Sequence, residues 1–248
     1  MKRHIAQKER LAPAARPAVS LGAAELDAAL PEGGLALGAL HECVPEGHGD
    51  FAATLGFGLA LASRVVCTRP GFVLCAFPAR CGFEQGVVHA PGLTAFGLDP
   101  DRFIEVDVAK PRAMLWVMEE ALGAAALAAV IGIAGRDERA YDFTASRRLA
   151  LRAARSGVTA LLVRPHAPEG TTTAATTRWR IAAAPGAGPP RWSATLVKSK
   201  KGMPGHRNVV EWDHETLSLR LAAALADRTP AMAYQAGSGR GGGWAAAS

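Results

Sequence analysis

The stretch with the most chemical content runs from Ala39 to Arg64. Ala39-Leu40-His41-Glu42-Cys43-Val44 is a compact apolar-biased run, Pro45-Glu46-Gly47-His48-Gly49-Asp50 is a Gly-containing loop, and Phe51, Leu55 and Leu59 then recur at helical spacing. A strand, such a loop and a helix N-terminus form an arrangement that cradles phosphates, because loop N–H groups and the helix dipole both favour an anion. Binding a nucleoside triphosphate there needs G-x-x-x-x-G-K-[ST], with the lysine on the β/γ-phosphates and the hydroxyl on Mg²⁺. In this chain Val44 stands at the first glycine, Gly49 keeps the second, Asp50 replaces the lysine and Phe51 replaces the hydroxyl residue. Aspartate repels a polyphosphate and phenylalanine cannot ligate a cation. The loop Val44, Pro45, Glu46, Gly47, His48, Gly49, Asp50, Phe51 therefore has the topology of a phosphate cradle without its chemistry, and no nucleotide cofactor is expected.

Other reactive side chains give no constellation. Cys43, Cys67, Cys75 and Cys81 form no C-x-x-C pair and read as buried thiols, not a metal or disulfide set. His41, His48 and His89 have no H-x-x-x-H or H-E-x-x-H spacing and read as structural. Glu119 and Glu120 are adjacent, hence on different sides of a helix, and make a poor acid/base pair. There is no nucleophile signature. Neither catalytic residues nor a metal site is expected.

The elements that must position the loop are legible as a pattern. Leu21 to Leu30 reads as a short helix broken by Pro31-Glu32-Gly33-Gly34. Phe72–Ala76, Ile104–Val108, Val130–Ile133 and Val158–Val163 are short apolar β-rich runs, and Arg112–Ala125 and Thr144–Ser156 are helical in pattern. Alternating strands and helices predict an α/β fold with a mostly parallel, buried central sheet flanked by helices. The second helix has readable ends, with Asp142 or Thr144 as cap and Gly157 as its left-handed stop. Thr177–Ala184, Arg191–Lys200 and Asn208–Asp213 alternate and are joined by Pro/Gly-rich turns, which predicts a C-terminal antiparallel β extension. Leu217–Ala226 is expected to form a last helix, and Gly237–Gly243 begins a flexible tail. The predicted organisation is a basic leader over 1–20, a single domain over 21–226 (core 21–166, extension 176–215) and a Gly/Ala-rich tail over 227–248.

The whole chain has 248 residues, 49% of them hydrophobic and 20% charged, enough for a real core and not the composition of a disordered protein. The uncharged runs Phe51–Ser63 and Ala121–Gly135 fall short of the roughly 20 residues of a spanning helix, and the first 20 residues lack a continuous apolar stretch, so a cytoplasmic protein without membrane contact is expected. Its net charge is +6. Between Arg178 and Val210 there are seven cations, Arg178, Arg180, Arg191, Lys198, Lys200, Lys201 and Arg207, and no Asp or Glu. Trp179 and Trp192 sit among them, either as stacking platforms for single-stranded nucleic acid or as core residues of the small sheet. Arg147 and Arg148 open an arginine-rich helix on which Arg148, Arg152 and Arg155 share one face, suited to DNA, an acidic partner or plain solvation.

Leu21-Gly22-Ala23-Ala24-Glu25-Leu26-Asp27, Gly33-Gly34-Leu35-Ala36-Leu37-Gly38, Leu40-His41-Glu42 and the loop after them resemble the entry to the RecA ATPase core. Pro91-Gly92-Leu93, Gly97-Leu98-Asp99-Pro100-Asp101-Arg102, Leu115-Trp116-Val117-Met118-Glu119-Glu120-Ala121-Leu122, Thr144 to Leu151, Ser156-Gly157-Val158-Thr159, Thr176-Thr177-Arg178-Trp179-Arg180, Pro190-Arg191-Trp192 and Val210-Glu211-Trp212 are similar to the ImuA family of RecA/SulA-related mutagenesis proteins. The similarity spans about Leu21 to Glu215. It implies a RecA-like core, with Ala134 in the place where such cores carry the Mg²⁺-binding aspartate, a second loss of nucleotide chemistry. Val197-Lys198-Ser199-Lys200 resembles the lysine pair that in RecA filaments reaches a neighbouring protomer's nucleotide; here it is either a retained charge device or a solvated strand end. The resemblance further implies a non-enzymatic accessory protein of SOS-induced mutagenic translesion synthesis, nucleoid-associated when on damaged DNA. The implied partners are an ImuB-type Y-family polymerase-like protein and, through it, a DnaE-type error-prone polymerase, with RecA and single-stranded DNA as further candidates. A SulA-like cell-division inhibitor that binds FtsZ is the alternative, and an ATPase with a degenerate loop a third.

Overall fold

The structure is a computed structural model and describes residues 16–78, 89–135, 141–166, 170–186, 188–200 and 202–222. Most of the leader (1–15), Cys81, Lys201 and everything after residue 222, including the tail, lie outside the described residues.

The strands are β1 (Ala18–Val19), β2 (Leu35–Ala36), β3 (Leu40–Pro45), β4 (Phe72–Pro78), β5 (Phe103–Val108), β6 (Leu127–Ile133), β7 (Thr159–Val163), β8 (Thr177–Ala183), β9 (Arg191–Ser199), β10 (Arg207–Asp213) and β11 (Ser218–Leu221). The helices are α1 (Ala24–Ala28), α2 (Phe51–Thr68), α3 (Ala90–Ala95), α4 (Pro111–Ala121) and α5 (Phe143–Ser156). Nine strands form one sheet in the order β11-β10-β9-β8-β3-β7-β6-β4-β5. From β5 to β8 all neighbours are parallel; β9, β10 and β11 then continue antiparallel. The α/β reading holds, and the C-terminal extension is an unbroken continuation of the core sheet. The joint is β8, parallel to β3 with His41 opposite Thr177 and antiparallel to β9 with Ile181 opposite Ala194.

One face of the sheet is covered by α2, which buries Phe51, Phe57, Leu59, Leu61 and Val65. Phe57 packs its ring 5.7 Å from Trp179 and 5.8 Å from Trp192, and Phe96 lies 5.5 Å from Trp212. All three tryptophans are buried, so Trp179 and Trp192 take the core role and are not stacking platforms. The other face is covered by α4 and α5 through Met114, Met118, Leu122, Leu149 and Ala153. Gly132 of β6 sits under this layer, where a Cβ would collide with the sulfurs of Met114 and Met118. At its start α5 is capped by Asp142, whose carboxylate accepts from the Ala145 N–H at 2.7 Å, and it ends at Gly157 with φ 75°.

Four expectations are corrected, the first being that the cysteines are all buried: Cys43 and Cys75 are, but Cys67, in the last turn of α2, is exposed. Order begins before Leu21, because β1 pairs with β2 and buries Val19. The segment from Leu217 is not a helix up to the last described residue: Leu217 turns the chain at φ 49°, and Ser218–Leu221 pairs with β10, burying Leu219, so edge pairing overrides the helix propensity of an Ala/Leu-rich run. Finally, the continuous helical span His48–Thr68, 21 residues with mean hydropathy 1.5, is long and apolar enough to cross a membrane by length and composition, although the uncharged run within it is shorter. That span contains α2, which is 56% buried within the fold and packs against the sheet as its core helix.

Candidate functional site

Strand β3 delivers the loop to the C-terminal edge of the sheet, and a short 3₁₀ turn, His48–Asp50, leads into α2. Two side chains of the loop decide what it can hold. The Asp50 carboxylate turns back into the loop, accepting from the Gly47 N–H at 3.0 Å on one oxygen and from the Ala183 N–H of β8 at 2.9 Å on the other. The position that would carry the phosphate-binding lysine thus supplies an anion of its own, which takes up one N–H donor of the loop and one of β8. Phe51, in the hydroxyl position, is buried in the core. The Glu46 N–H donates to the Ile181 carbonyl at 2.8 Å, and the Glu46 carboxylate pairs with Arg207 at 3.2 Å, fastening the loop to the extension. Val44 is buried, His48 and Gly49 are exposed, and Pro45 is half-buried. At the end of β6 the Ala134 N–H donates to the Val163 carbonyl at 2.8 Å, so this position also serves the backbone of the sheet.

On the opposite face of β3 lies a buried ionic cluster that the sequence did not announce. Glu42 is fully buried and accepts from the Tyr141 hydroxyl at 2.5 Å, from the Thr173 hydroxyl and from the Arg178 Nε at 2.6 Å. Arg164, also buried, holds Nη1 4.0 Å from the same carboxylate, with its guanidinium 5.0 Å from the centre of the Tyr141 ring. Burial and the adjacent carboxylate push the Tyr141 hydroxyl well above its ordinary range, so it is a fixed donor. Lys198 donates to the Thr173 carbonyl, and burial is the main influence lowering its pKa. Beside the cluster, His41 is fully buried with Nε2 2.8 Å from the Ala36 carbonyl and Nδ1 2.8 Å from the Thr177 hydroxyl. The carbonyl can only accept, so Nε2 carries the proton and Nδ1 accepts from Thr177. Desolvation lowers the His41 pKa to about 4, consistent with a neutral structural imidazole. Cys43, buried in the same strand, is pushed up by burial and is an inert thiol.

The acid-free interval of the sequence is not an acid-free surface. Strand pairing brings acids from outside it: Glu42 to Arg178, Glu211 to Arg191 at 2.5 Å, and Glu46 to Arg207. Arg178 is buried and so is no surface group. Arg180 and Lys198 are half-buried along a cleft, and Lys200 is exposed. On α5 the stripe divides as well. Arg148 pairs with Glu119 at 2.6 Å and Arg152 lies 4.0 Å from Glu120, both on α4, while Arg147 and Arg155 are exposed. The adjacent glutamates serve as helix-to-helix counter-charges. Among the described residues no group of three or more His, Cys, Asp or Glu could hold a metal ion.

The residues missed from sequence are Glu42, Tyr141, Arg164 and Thr173. Glu42 carried a usable signal, a carboxylate inside a strand that is apolar but for His41, which in a parallel sheet must find a buried cation. Its partners lie far off in sequence and had no local mark.

No protein-family profile matches the chain. It is 32% identical over 238 residues to Protein ImuA of Caulobacter vibrioides strain NA1000, an alignment covering 88% of this chain and 93% of that protein, and it is equally similar to Protein ImuA of strain ATCC 19089.

Proposed function

The chain belongs to the ImuA family, and from that membership we propose that it is a non-enzymatic accessory protein of SOS-induced mutagenic translesion synthesis, a RecA-like scaffold that does not use ATP. The observation that carries the pseudo-ATPase part is the Asp50 carboxylate folded into the loop. Phosphate oxygens would have to compete with that anion for the same N–H donors, and the lysine and hydroxyl that would offset the repulsion are absent from positions 50 and 51. Ala134, at the end of the strand that carries the aspartate in RecA-like cores, supports the same reading.

In this proposal the protein works in the cytoplasm and docks an ImuB-type Y-family polymerase-like protein, and through it a DnaE-type polymerase, with RecA as a further protein contact and single-stranded DNA as the ligand of the basic residues. The exposed cations Arg147 and Arg155 of α5 are the groups best placed for an acidic partner surface. The test has two arms. Calorimetric titration with ATP should give no Mg²⁺-dependent micromolar binding, and the ImuB-type protein should co-purify with the tagged chain from cells exposed to a DNA-damaging agent. Micromolar nucleotide binding that requires Mg²⁺ overturns the pseudo-ATPase claim; capture of FtsZ in place of the ImuB-type protein overturns the scaffold claim in favour of a division inhibitor.

A further inference from the structure

The buried cluster behind β3 is unbalanced. Among the described residues a single carboxylate, Glu42, faces two guanidinium groups that are each more than nine-tenths buried, Arg178 and Arg164. Its oxygens are already taken by two hydroxyls and the Arg178 Nε. Among the described residues, the buried Nη2 of Arg178 and Nη1 of Arg164 have no hydrogen-bond partner. Charged donors held out of water without an acceptor are costly, so a fold that keeps them does so against a local counter-charge or at a site of use.

One member of the cluster, Arg178, also lines a cleft of about 490 Å³, together with the 170–173 loop, Arg180 of β8 and Lys198 of β9. Residues alternate across a strand, and Trp179 faces α2, so Arg178 and Arg180 both project to the other face, where Phe143 of α5 closes one wall. Lys198 stands opposite Arg178 in the sheet register and is tethered by its bond to the Thr173 carbonyl. The cations are thereby held by a rigid sheet, beside a wall formed by Gly170 to Thr173. Guanidinium and ammonium donors around a cleft of this size suit a tetrahedral oxyanion bearing more than one negative charge or repeating singly charged units.

We propose that this cleft is a phosphate-oxyanion site, taking either the phosphodiester of a nucleic-acid strand or a small phosphate compound. It lies on the sheet face away from α2. The inference rests on the unpartnered buried guanidinium donors and on the cations that line the cleft; its nucleic-acid arm deepens the function proposed above, and its small-phosphate arm stands without it.

Two probes separate the sources: inorganic pyrophosphate, followed by calorimetry, and a fluorescein-labelled oligothymidylate, followed by anisotropy, both with the full chain at moderate salt. Lys198→Gln and Arg180→Gln should each weaken binding about tenfold, the loss of one charge-assisted contact. Lys198→Arg keeps the charge and should retain binding, which separates loss of the site from loss of the fold. Weakening for both probes, with pyrophosphate displacing the oligonucleotide, supports one shared site; weakening for the oligonucleotide alone assigns the site to a strand backbone, and for pyrophosphate alone to a small phosphate compound. Binding that is equally tight in all variants, or neither probe binding the unaltered chain, overturns the proposal.

Discussion

Substituting Glu42 with Gln keeps the shape of the buried side chain and its capacity to accept from Tyr141 and Thr173, but removes the charge that Arg178 meets at 2.6 Å. Both partners are buried, so Arg178 is left as an uncompensated cation in a low-dielectric interior, a change that costs about 3–5 kcal/mol. The retained amide oxygen places the expected loss at the lower end, about 3 kcal/mol. In a domain of roughly 200 residues that corresponds to a fall in Tm of about 6–12 °C. The assay is urea and thermal unfolding of Glu42→Gln, Arg178→Met and the double variant. Because the two side chains share one interaction, their effects should couple: the double variant should be less destabilised than the sum of the singles by about 2 kcal/mol or more. A loss below about 1 kcal/mol for Glu42→Gln, or strict additivity in the cycle, would refute the reading of Glu42 as the anchor of this cluster.

Three further outcomes follow from the same geometry. The folded-state pKa of His41 lies near 4 against an ordinary 6.5, so the unfolded chain binds the proton first; stability is unaffected by this group above pH 6.5 and falls as pH drops from 6.5 towards 4, by about 2 kcal/mol at pH 5. Urea unfolding at pH 7 and pH 5 should show that difference, reduced by the same amount in His41→Gln. Asp50→Ala removes the acceptor for the Gly47 and Ala183 N–H groups and should cost about 1–2 kcal/mol in urea unfolding without conferring nucleotide binding by calorimetry, since Phe51 and Ala134 remain. Gly132→Ala drives a methyl into the sulfurs of Met114 and Met118 and should lower stability by about 1–3 kcal/mol, read as a lower urea midpoint at an unchanged slope.

The parallel core was legible because its central strands are buried on both faces and read as continuous apolar runs; Val130 to Ile133 sits within β6, and Val158 to Val163 contains the whole of β7. The caps of α5 were legible because Asp142 and Gly157 act within a few residues of themselves. What escaped was decided by pairing at long range. The charge of Arg178, Arg191 and Arg207 reads as one patch along the chain, yet each meets an acid supplied by another strand or loop. Trp179 and Trp192 sit between cations in sequence, but alternation turns them to the α2 face while Arg178 and Arg180 take the other. That positions 50 and 51 carry neither lysine nor hydroxyl is visible in the sequence itself. That Asp50 would fill the loop with its own carboxylate was not readable, since one of its two donors comes from Ala183, at the far end of β8.

The position of β3 in the middle of the sheet also governs the order in which the molecule can be completed. This strand is synthesised early, yet both its neighbours come much later in the chain, Leu40 pairing with Ala160 and His41 with Thr177. While the nascent chain emerges, β3 has both edges open and Glu42 without its guanidinium, so the central strand waits on residues from the C-terminal half. Such non-local closure makes folding slow and leaves a sticky, half-built sheet on the ribosome for longer than a helical protein of this size would tolerate. Chains ending before Thr177 should therefore accumulate as aggregates, not as a smaller folded core.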